Sequence, residues 1–462
     1  MTSPFNFYAL SMSYLWVVVV GAIGAFGFGW ATGSNDVGNA FGTSVGSGAL
    51  SMKHAVVIAT IFEFVGAVVL GRVSTNTIAG GIADIRAFKN EPEFYAYGMM
   101  WTLLVGAAWQ MWASYKGLNV SATHSIIGGI IGFSIAHSGA KGVLWIQKDP
   151  ASVPPYKGVI PIVLSWFVSP ILTALASALI FTGTRTIILR RNDSYRRVWF
   201  LLPVLVLLTS WINIFFVFTK GVKKTLQKTG DEWSNSKSGW IALCIATGLS
   251  ILSLGAIPFM KKRIAHETIH VEAVEDIEEN PEDHEVQNLK EKFDANTERA
   301  FSLLQVFSAI CVIFAHGAGE VGYMAGPLST IWTIWKNDKL PKSVIAPLWI
   351  IFFSAASLVL GLAMYGQNVT VAMGKRLARL TPSRGFSAEL ATSLVLLVAT
   401  QYGLPTSSSQ CITGGVVGVG LAEGISHVNW KFFGQTLLSW VSTIFVTGVG
   451  SGVLFLQGIA AP

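Results

Sequence analysis

Charge is scarce in this chain. Only 12% of its 462 residues are Asp, Glu, Lys or Arg, about half of the roughly 25% typical of soluble domains. Hydrophobic residues make up 52% and mean hydropathy is +0.55. A water-exposed fold of this length is therefore excluded, and a bilayer is the expected solvent. Cysteine is scarcer still: Cys244, Cys311 and Cys411 each fall inside an apolar run, so there is neither a disulfide framework nor a CxxC pair. The first residues lack the basic region and cleavage site of a signal peptide, and Ser13–Trp30 is read as a first helix. Aromatic residues, by contrast, are plentiful, with 28 Phe and 16 Trp, as interfacial belts require.

The net charge of +7 does not point to nucleic acid, because of where the charges lie. Between Glu267 and Arg299 stand twelve acidic and three basic side chains, so nearly half of the 25 carboxylates occupy one short stretch. The basic remainder clusters between apolar runs, as in cytoplasmic loops of membrane proteins.

About twenty apolar residues cross a bilayer. Such runs are Ser13–Trp30, His54–Gly71, Tyr97–Tyr115, Gly117–His137, Val159–Gly183, Val198–Phe218, Ser238–Met260, Ala300–Tyr323, Ser343–Tyr365, Ala388–Tyr402, Thr406–Ala422 and Phe432–Ile459. The expected fold is thus all-α and polytopic, with about twelve segments; the short, glycine-broken ones are open to a re-entrant reading. Three clusters set the orientation: Arg185/Arg190/Arg191/Arg196/Arg197, Lys261/Lys262/Arg263 and Lys375/Arg376/Arg379/Arg384. Two crossings separate each from the next, so all three share one face, cytoplasmic by the positive-inside rule. Both termini are then expected outside and the acidic loop 264–299 in the cytoplasm. Lys220, Lys223, Lys224 and Lys228 conflict with this, offset in part by Asp231 and Glu232. The chain divides into a first half (1–183), a connecting region (184–299) and a second half (300–462). The charged stretch is too poor in apolar residues to bury a core and reads as a solvated linker.

The two halves resemble one another. Residues 117–132, GLNVSATHSIIGGIIG, align without a gap on 403–418, GLPTSSSQCITGGVVG, at an offset of 286. Ser121 then matches Ser407, Thr123 matches Ser409, and His124 matches Gln410. A second pair, GSNDVGN (33–39) and GAGEVGY (317–323), aligns at an offset of 284 and sets Asp36 against Glu320. The partners lie seven crossings apart in this count, and an odd number inverts one copy, giving the inverted-topology repeat that many secondary transporters use.

These residues suit an oxyanion. Hydroxyls beside glycines in apolar runs fit broken helices, whose N-termini present free N–H donors and positive dipole character. Two such motifs facing each other across a pseudo-two-fold axis could wrap phosphate or sulfate. One copy alone would read as close helix packing; duplication favours the anion site. Asp36, Glu63, Glu320 and Glu389 fall within or beside apolar runs, where ionisable residues are costly and usually functional. No basic residue stands beside the hydroxyl motifs, so carboxylates and an anion sharing one cavity need cations between them. Sodium is one solution and protonation the other. His124, with glutamine at its repeat position, reads as a hydrogen-bonded structural residue rather than a proton relay. An intramembrane hydrolase is disfavoured by the duplication of its would-be nucleophile, and a receptor would leave buried paired acids without purpose.

At these motifs the chain resembles the inorganic phosphate transporter (PiT) family. GSNDVGNAFGTSVGSG (33–48) is similar to that family's GANDVANxxGT signature. NVSATHSIIGGIIG (119–132) resembles its PVSTTHS segment, and GLPTSSSQCITGGVVGVG (403–420) the second copy. FEFVGAVVLG (62–71) and GFSAEL (385–390) also match. The resemblance implies an inverted-repeat helical carrier moving phosphate with sodium or protons, or sulfate in some bacterial members. It implies cation ligation at Asn35 and Asp36 and phosphate contacts at Ser121, Thr123, Ser407, Ser408 and Ser409. Glu63, Gln110 and Glu389 are implied to lie nearby and matter for transport. The second copy departs from the family: Gly319 stands for asparagine, Glu320 for aspartate and Tyr323 for the later asparagine. Gln410 replaces a histidine, and Ala122 a hydroxyl residue.

The expectation is a secondary active transporter, not an enzyme, that imports phosphate with sodium by alternating access. Proton-coupled phosphate or sulfate transport is the alternative. Asp36 and Glu320 are expected near both substrate and sodium, with Asn35, Glu63 and Glu389 as further sodium ligands and Gln110, His124 and Gln410 in support. No cofactor beyond co-transported sodium is expected. The partners are phosphate, sodium and the lipid bilayer, in a plasma membrane, and a homodimer is compatible with this reading.

Overall fold

The computed structural model describes residues 14–150, 155–221, 233–271, 291–340, 344–365, 370, 377 and 380–460. The centre of the acidic stretch, Lys223, Lys224 and Lys228, and Lys375, Arg376 and Arg379 lie outside the described residues. Among the described residues thirteen α-helices follow one another: α1 (Leu15–Gly46), α2 (Met52–Leu70), α3 (Arg72–Gly80), α4 (Pro92–Tyr115), α5 (Ala122–Ser138), α6 (Val159–Thr184), α7 (Ser194–Phe216), α8 (Asn235–Val271), α9 (Ala295–Asn337), α10 (Leu348–Tyr365), α11 (Pro382–Gln401), α12 (Ser408–Glu423) and α13 (Trp430–Ala460). Among the described residues the only sheet is the two-stranded hairpin of Gln147–Lys148 with Tyr156–Lys157.

Each apolar run of the sequence falls on a helix, but the helices are not all spans. Eight are long and apolar enough to cross a membrane by length and composition. The twelve-crossing count is therefore not reached by that measure. α5 and α12 have 17 and 16 residues, about 25 Å each at 1.5 Å per residue, short of a ~30 Å hydrocarbon core. α1 and α9 are longer than the sequence suggests, with 32 and 43 residues. GSNDVGN and GAGEVGY, although polar, continue these helices without a break, and Ser34, Asn35, Asn39 and Tyr323 bond to neighbouring elements.

Large apolar side chains cover the outside. Phe167 is 65% exposed, Leu252 70%, Phe259 74% and Phe445 67%, a surface stable only against lipid. α7 and α8 pack on each other and are the least buried spans, 17% and 11% inside, so much of the connecting region forms a peripheral pair. Where α7 begins, the Arg190 guanidinium beside Glu291 holds that carboxyl below its usual range.

The contacts of the two halves mirror each other. α1 packs on α4 and α10; α9 packs on α11 and α2. α5 lies along α13, and α12 along α6. At the closest crossings only glycine fits. A Cβ at Gly33 would stand 1.9 Å from the Leu358 carbonyl oxygen, and one at Gly317 would stand 2.1 Å from that of Glu63.

Candidate functional site

The hydroxyl motifs meet at the centre of the molecule. Before each short helix the chain turns at a glycine with positive φ, Gly117 at 66° and Gly403 at 69°, a conformation glycine adopts without steric cost. Ser121 then caps α5, accepting from the His124 N–H at 3.3 Å, and Ser407 caps α12, accepting from the Gln410 N–H at 3.3 Å. The two cap hydroxyls lie 2.9 Å apart. Ser409 Oγ donates to the Val120 carbonyl at 3.0 Å, and Thr123 Oγ1 reaches the Thr406 carbonyl at 3.4 Å, the same contact with the halves exchanged. All four hydroxyls are at most 1% exposed. Two helix N-termini and a ring of hydroxyls thus converge on one buried point, an arrangement suited to an anion.

Beside it stands a carboxylate cluster. His316 Nδ1 lies 2.7 Å from Glu63 Oε1, and its Nε2 lies 3.5 Å from Asp36 Oδ2 and 3.9 Å from Glu320 Oε1. Asp36, His316 and Glu320 each offer a ligand atom within 4.8 Å of the others'. Asp36 Oδ1 accepts from Asn39 Nδ2 at 2.7 Å, and Glu320 Oε1 accepts from Ser408 Oγ at 2.9 Å. The second oxygens of Asp36, Glu63 and Glu320 are buried without a hydrogen-bond partner. Carboxylate oxygens without a hydrogen-bond partner are what a hard cation binds.

The remaining expected residues divide. Asn35 clamps the loop before α5: Nδ2 donates to Ser114 Oγ at 3.1 Å and to the Leu118 carbonyl at 2.9 Å, and Oδ1 accepts from the Val120 N–H at 3.0 Å. Gln110 accepts from Thr32 at 2.8 Å and reaches Ser125 at 3.4 Å, steadying the first turn of α5. His124 stacks on Trp166 with centroids 3.9 Å apart, and its Nε2 lies 3.5 Å from Gln410 Nε2. Glu389 does not join the cluster. Its carboxylate accepts from Thr43 and Ser44 at 2.5 Å each, Ser308 at 2.6 Å and Gln305 at 3.1 Å, a separate and fully satisfied nest.

Sequence reasoning missed His316, Asn39 and Asn119. His316 precedes the aligned GAGEV by one residue and lies four before Glu320, on the same helix face. Its repeat position holds Thr32, so symmetry gave no cue. Asn119 Nδ2 donates to Asn39 Oδ1 at 3.1 Å, tying the loop before α5 to α1.

Also unforeseen is Arg384, assigned by sequence to a cytoplasmic basic cluster. It is 1% exposed, pairs with Glu423 through two nitrogens and donates to Thr381 at 2.8 Å.

A largely helical, membrane-spanning chain with a buried hydroxyl cradle beside unpartnered carboxylates is the frame of a transporter, not of an enzyme. The sequence profile of the phosphate transporter family matches residues 32–451, and the chain belongs to that family. It is 32% identical over 431 residues to a putative phosphate permease of Haemophilus influenzae, covering 93% of each chain. It is 31% identical to the chloroplastic inorganic phosphate transporter 2-1 of Arabidopsis thaliana, over 91% of this chain and 68% of that one. Among solved structures it is similar to the sodium-dependent phosphate transporter, with a TM-score of 0.80 and 26% identity over 96% of this chain and 100% of that chain.

Proposed function

We propose that this phosphate transporter imports inorganic phosphate together with sodium ions by alternating access between two inverted-topology repeats. The observation that carries the reading is the meeting of Ser121 and Ser407, 286 residues apart in sequence and 2.9 Å apart in space, beside Asp36 and Glu320. Phosphate oxygens would replace the contacts these hydroxyls now make with each other, and the helix N-termini would add their N–H groups. Among the described residues none of the groups that meet there is a lysine or arginine, so the charge balance falls to cations held by Asp36, Glu320 and Glu63. Sodium, a hard ion, takes oxygen ligands. The similarity to a solved transporter described as sodium-dependent supports the same coupling here. The exchanged contacts of α1, α2, α9 and α10 support the inverted repeat, in which one helix set rocks against the other.

The second reading is proton coupling, and His316 favours it by placing an imidazole among three carboxylates. Purified protein in liposomes, given labelled phosphate and either an inward sodium gradient or an inward proton gradient, separates the two. Accumulation driven by sodium alone is expected. Accumulation driven by protons alone would overturn the sodium assignment.

A further inference from the structure

Tyr323 is fully buried and lies three residues after Glu320 on α9, as Asn39 lies three residues after Asp36 on α1. The pairs share the 284-residue offset, and each contacts the cradle through the opposite motif. Asn39 Nδ2 donates to Ser409 Oγ at 2.9 Å, and Ser409 in turn reaches the Val120 carbonyl. The Tyr323 hydroxyl lies 2.8 Å from Thr123 Oγ1, and Thr123 in turn reaches the Thr406 carbonyl. Ser409 and Thr123 are themselves repeat partners. Each half thus backs one cradle hydroxyl with a polar group from a long helix, an amide in one case and a phenol in the other.

We propose that Tyr323 is a substrate-positioning residue that acts through Thr123; this rests on the cradle being the phosphate site. A threonine hydroxyl has one proton and two lone pairs. When Thr123 turns its proton from the Tyr323 oxygen and the Thr406 carbonyl to an oxyanion, a lone pair faces the phenol and calls for a donor. The Tyr323 O–H, now 3.3 Å from the same carbonyl, supplies it. The chain Tyr323 O–H to Thr123 O–H to oxyanion polarises along its length. Asn39 Nδ2 serves both Asp36 and Ser409. Tyr323 cannot serve its own carboxylate, and Ser408 does so instead, which leaves the phenol to Thr123 and the loop.

Tyr323→Phe deletes only the hydroxyl. Wild type, Tyr323→Phe, Thr123→Ala and the double variant are compared in liposomes for initial phosphate uptake at saturating sodium. Unfolding temperature is measured in detergent with and without phosphate. Tyr323→Phe is expected to raise KM about two- to tenfold with Vmax and unfolding temperature held, since a bond between neutral groups contributes roughly 0.5–1.5 kcal/mol. The double variant should match Thr123→Ala alone, because Tyr323 acts through that hydroxyl. An unchanged KM in Tyr323→Phe, or effects of the two substitutions that multiply in full, would overturn the proposal. Should Tyr323→Phe unfold earlier, its phosphate-induced rise in unfolding temperature reads the same comparison: a reduced rise supports the role and an undiminished one refutes it. Wild-type uptake is the separate control on the phosphate reading itself.

Discussion

The two sides of the cradle are built on one plan and finished differently. On the first side Asp36 is held by Asn39 of its own helix, and Asn35 ties the following loop to α1. On the second side Gly319 has no side chain to reach the equivalent loop, and the Thr406 N–H bonds locally to the Leu404 carbonyl instead. Glu320, one methylene longer, crosses to Ser408, whose repeat partner is Ala122 and could not have answered Asp36. The departures at 319, 320 and 323 therefore form one set, compensated through Ser408. Duplication preserves the position of a carboxylate more strictly than the way it is held.

A second contrast lies at Glu389. Thr392 stands against Gly415 as Thr102 stands against Gly129, which sets Met99 at the repeat position of Glu389. The donors Thr43, Ser44, Gln305 and Ser308 then correspond to Pro327, Leu328, Gly21 and Gly24. A four-donor carboxylate nest faces an apolar counterpart, so the repeat is symmetric at its centre and asymmetric away from it.

The largest effect should come from deleting a charge at the centre. Asp36→Asn and Glu320→Gln keep shape, yet each should reduce sodium-driven uptake to background at normal protein level; wild-type sodium dependence in Glu320→Gln would show that only the first half binds cation. Next, Glu389→Gln turns an amide donor toward donors and should lower stability by about 3 kcal/mol, read as a fall in unfolding temperature. An unchanged unfolding temperature would remove the nest from the structural account. Truncating Ser121, Thr123, Ser407 or Ser409 to Ala should raise KM about tenfold. Unchanged KM in all four would return them to helix packing.

Rebuilding symmetry should give a smaller change. A Cβ at Gly319 meets Thr400 Oγ1 at 3.3 Å, so Gly319→Asn asks that hydroxyl to shift by a few tenths of an ångström. Combined with Glu320→Asp, it should transport better than Glu320→Asp alone. The smallest effect belongs to His124→Gln, which copies Gln410. His124 Nδ1 lies 2.6 Å from Ser121 Oγ; loss of that contact should weaken affinity about two- to fivefold, and a complete loss of uptake would restore a proton-relay role to this histidine.

Much of this was legible in the sequence because symmetry doubles a weak signal. Ser121 and Ser407 would each pass for packing residues alone; the shared offset pointed to their meeting. The carboxylates were legible because an acid in an apolar run has few innocent explanations. His316 was not, since its repeat partner is a threonine and its role depends on Glu63 arriving from α2. Neither was the separation of Glu389 from the cluster, because a linear sequence does not tell which helix faces supply its donors. Helix ends were also misjudged. The expected spans stop at Trp30 and Tyr323, yet α1 and α9 run on to Gly46 and Asn337, with the polar residues at 33–39 and 317–323 inside them.

The central claim is that a hydroxyl cradle and a carboxylate cluster bind phosphate and sodium as one unit. Binding of labelled phosphate to the purified protein, titrated with sodium at fixed pH, tests this directly for wild type and for Ser121→Ala/Ser407→Ala. The account expects wild-type phosphate affinity to rise steeply with sodium, and the double variant to bind about a hundredfold more weakly, from two lost charge-assisted hydrogen bonds. Phosphate affinity independent of sodium, or undiminished in the double variant, would contradict it.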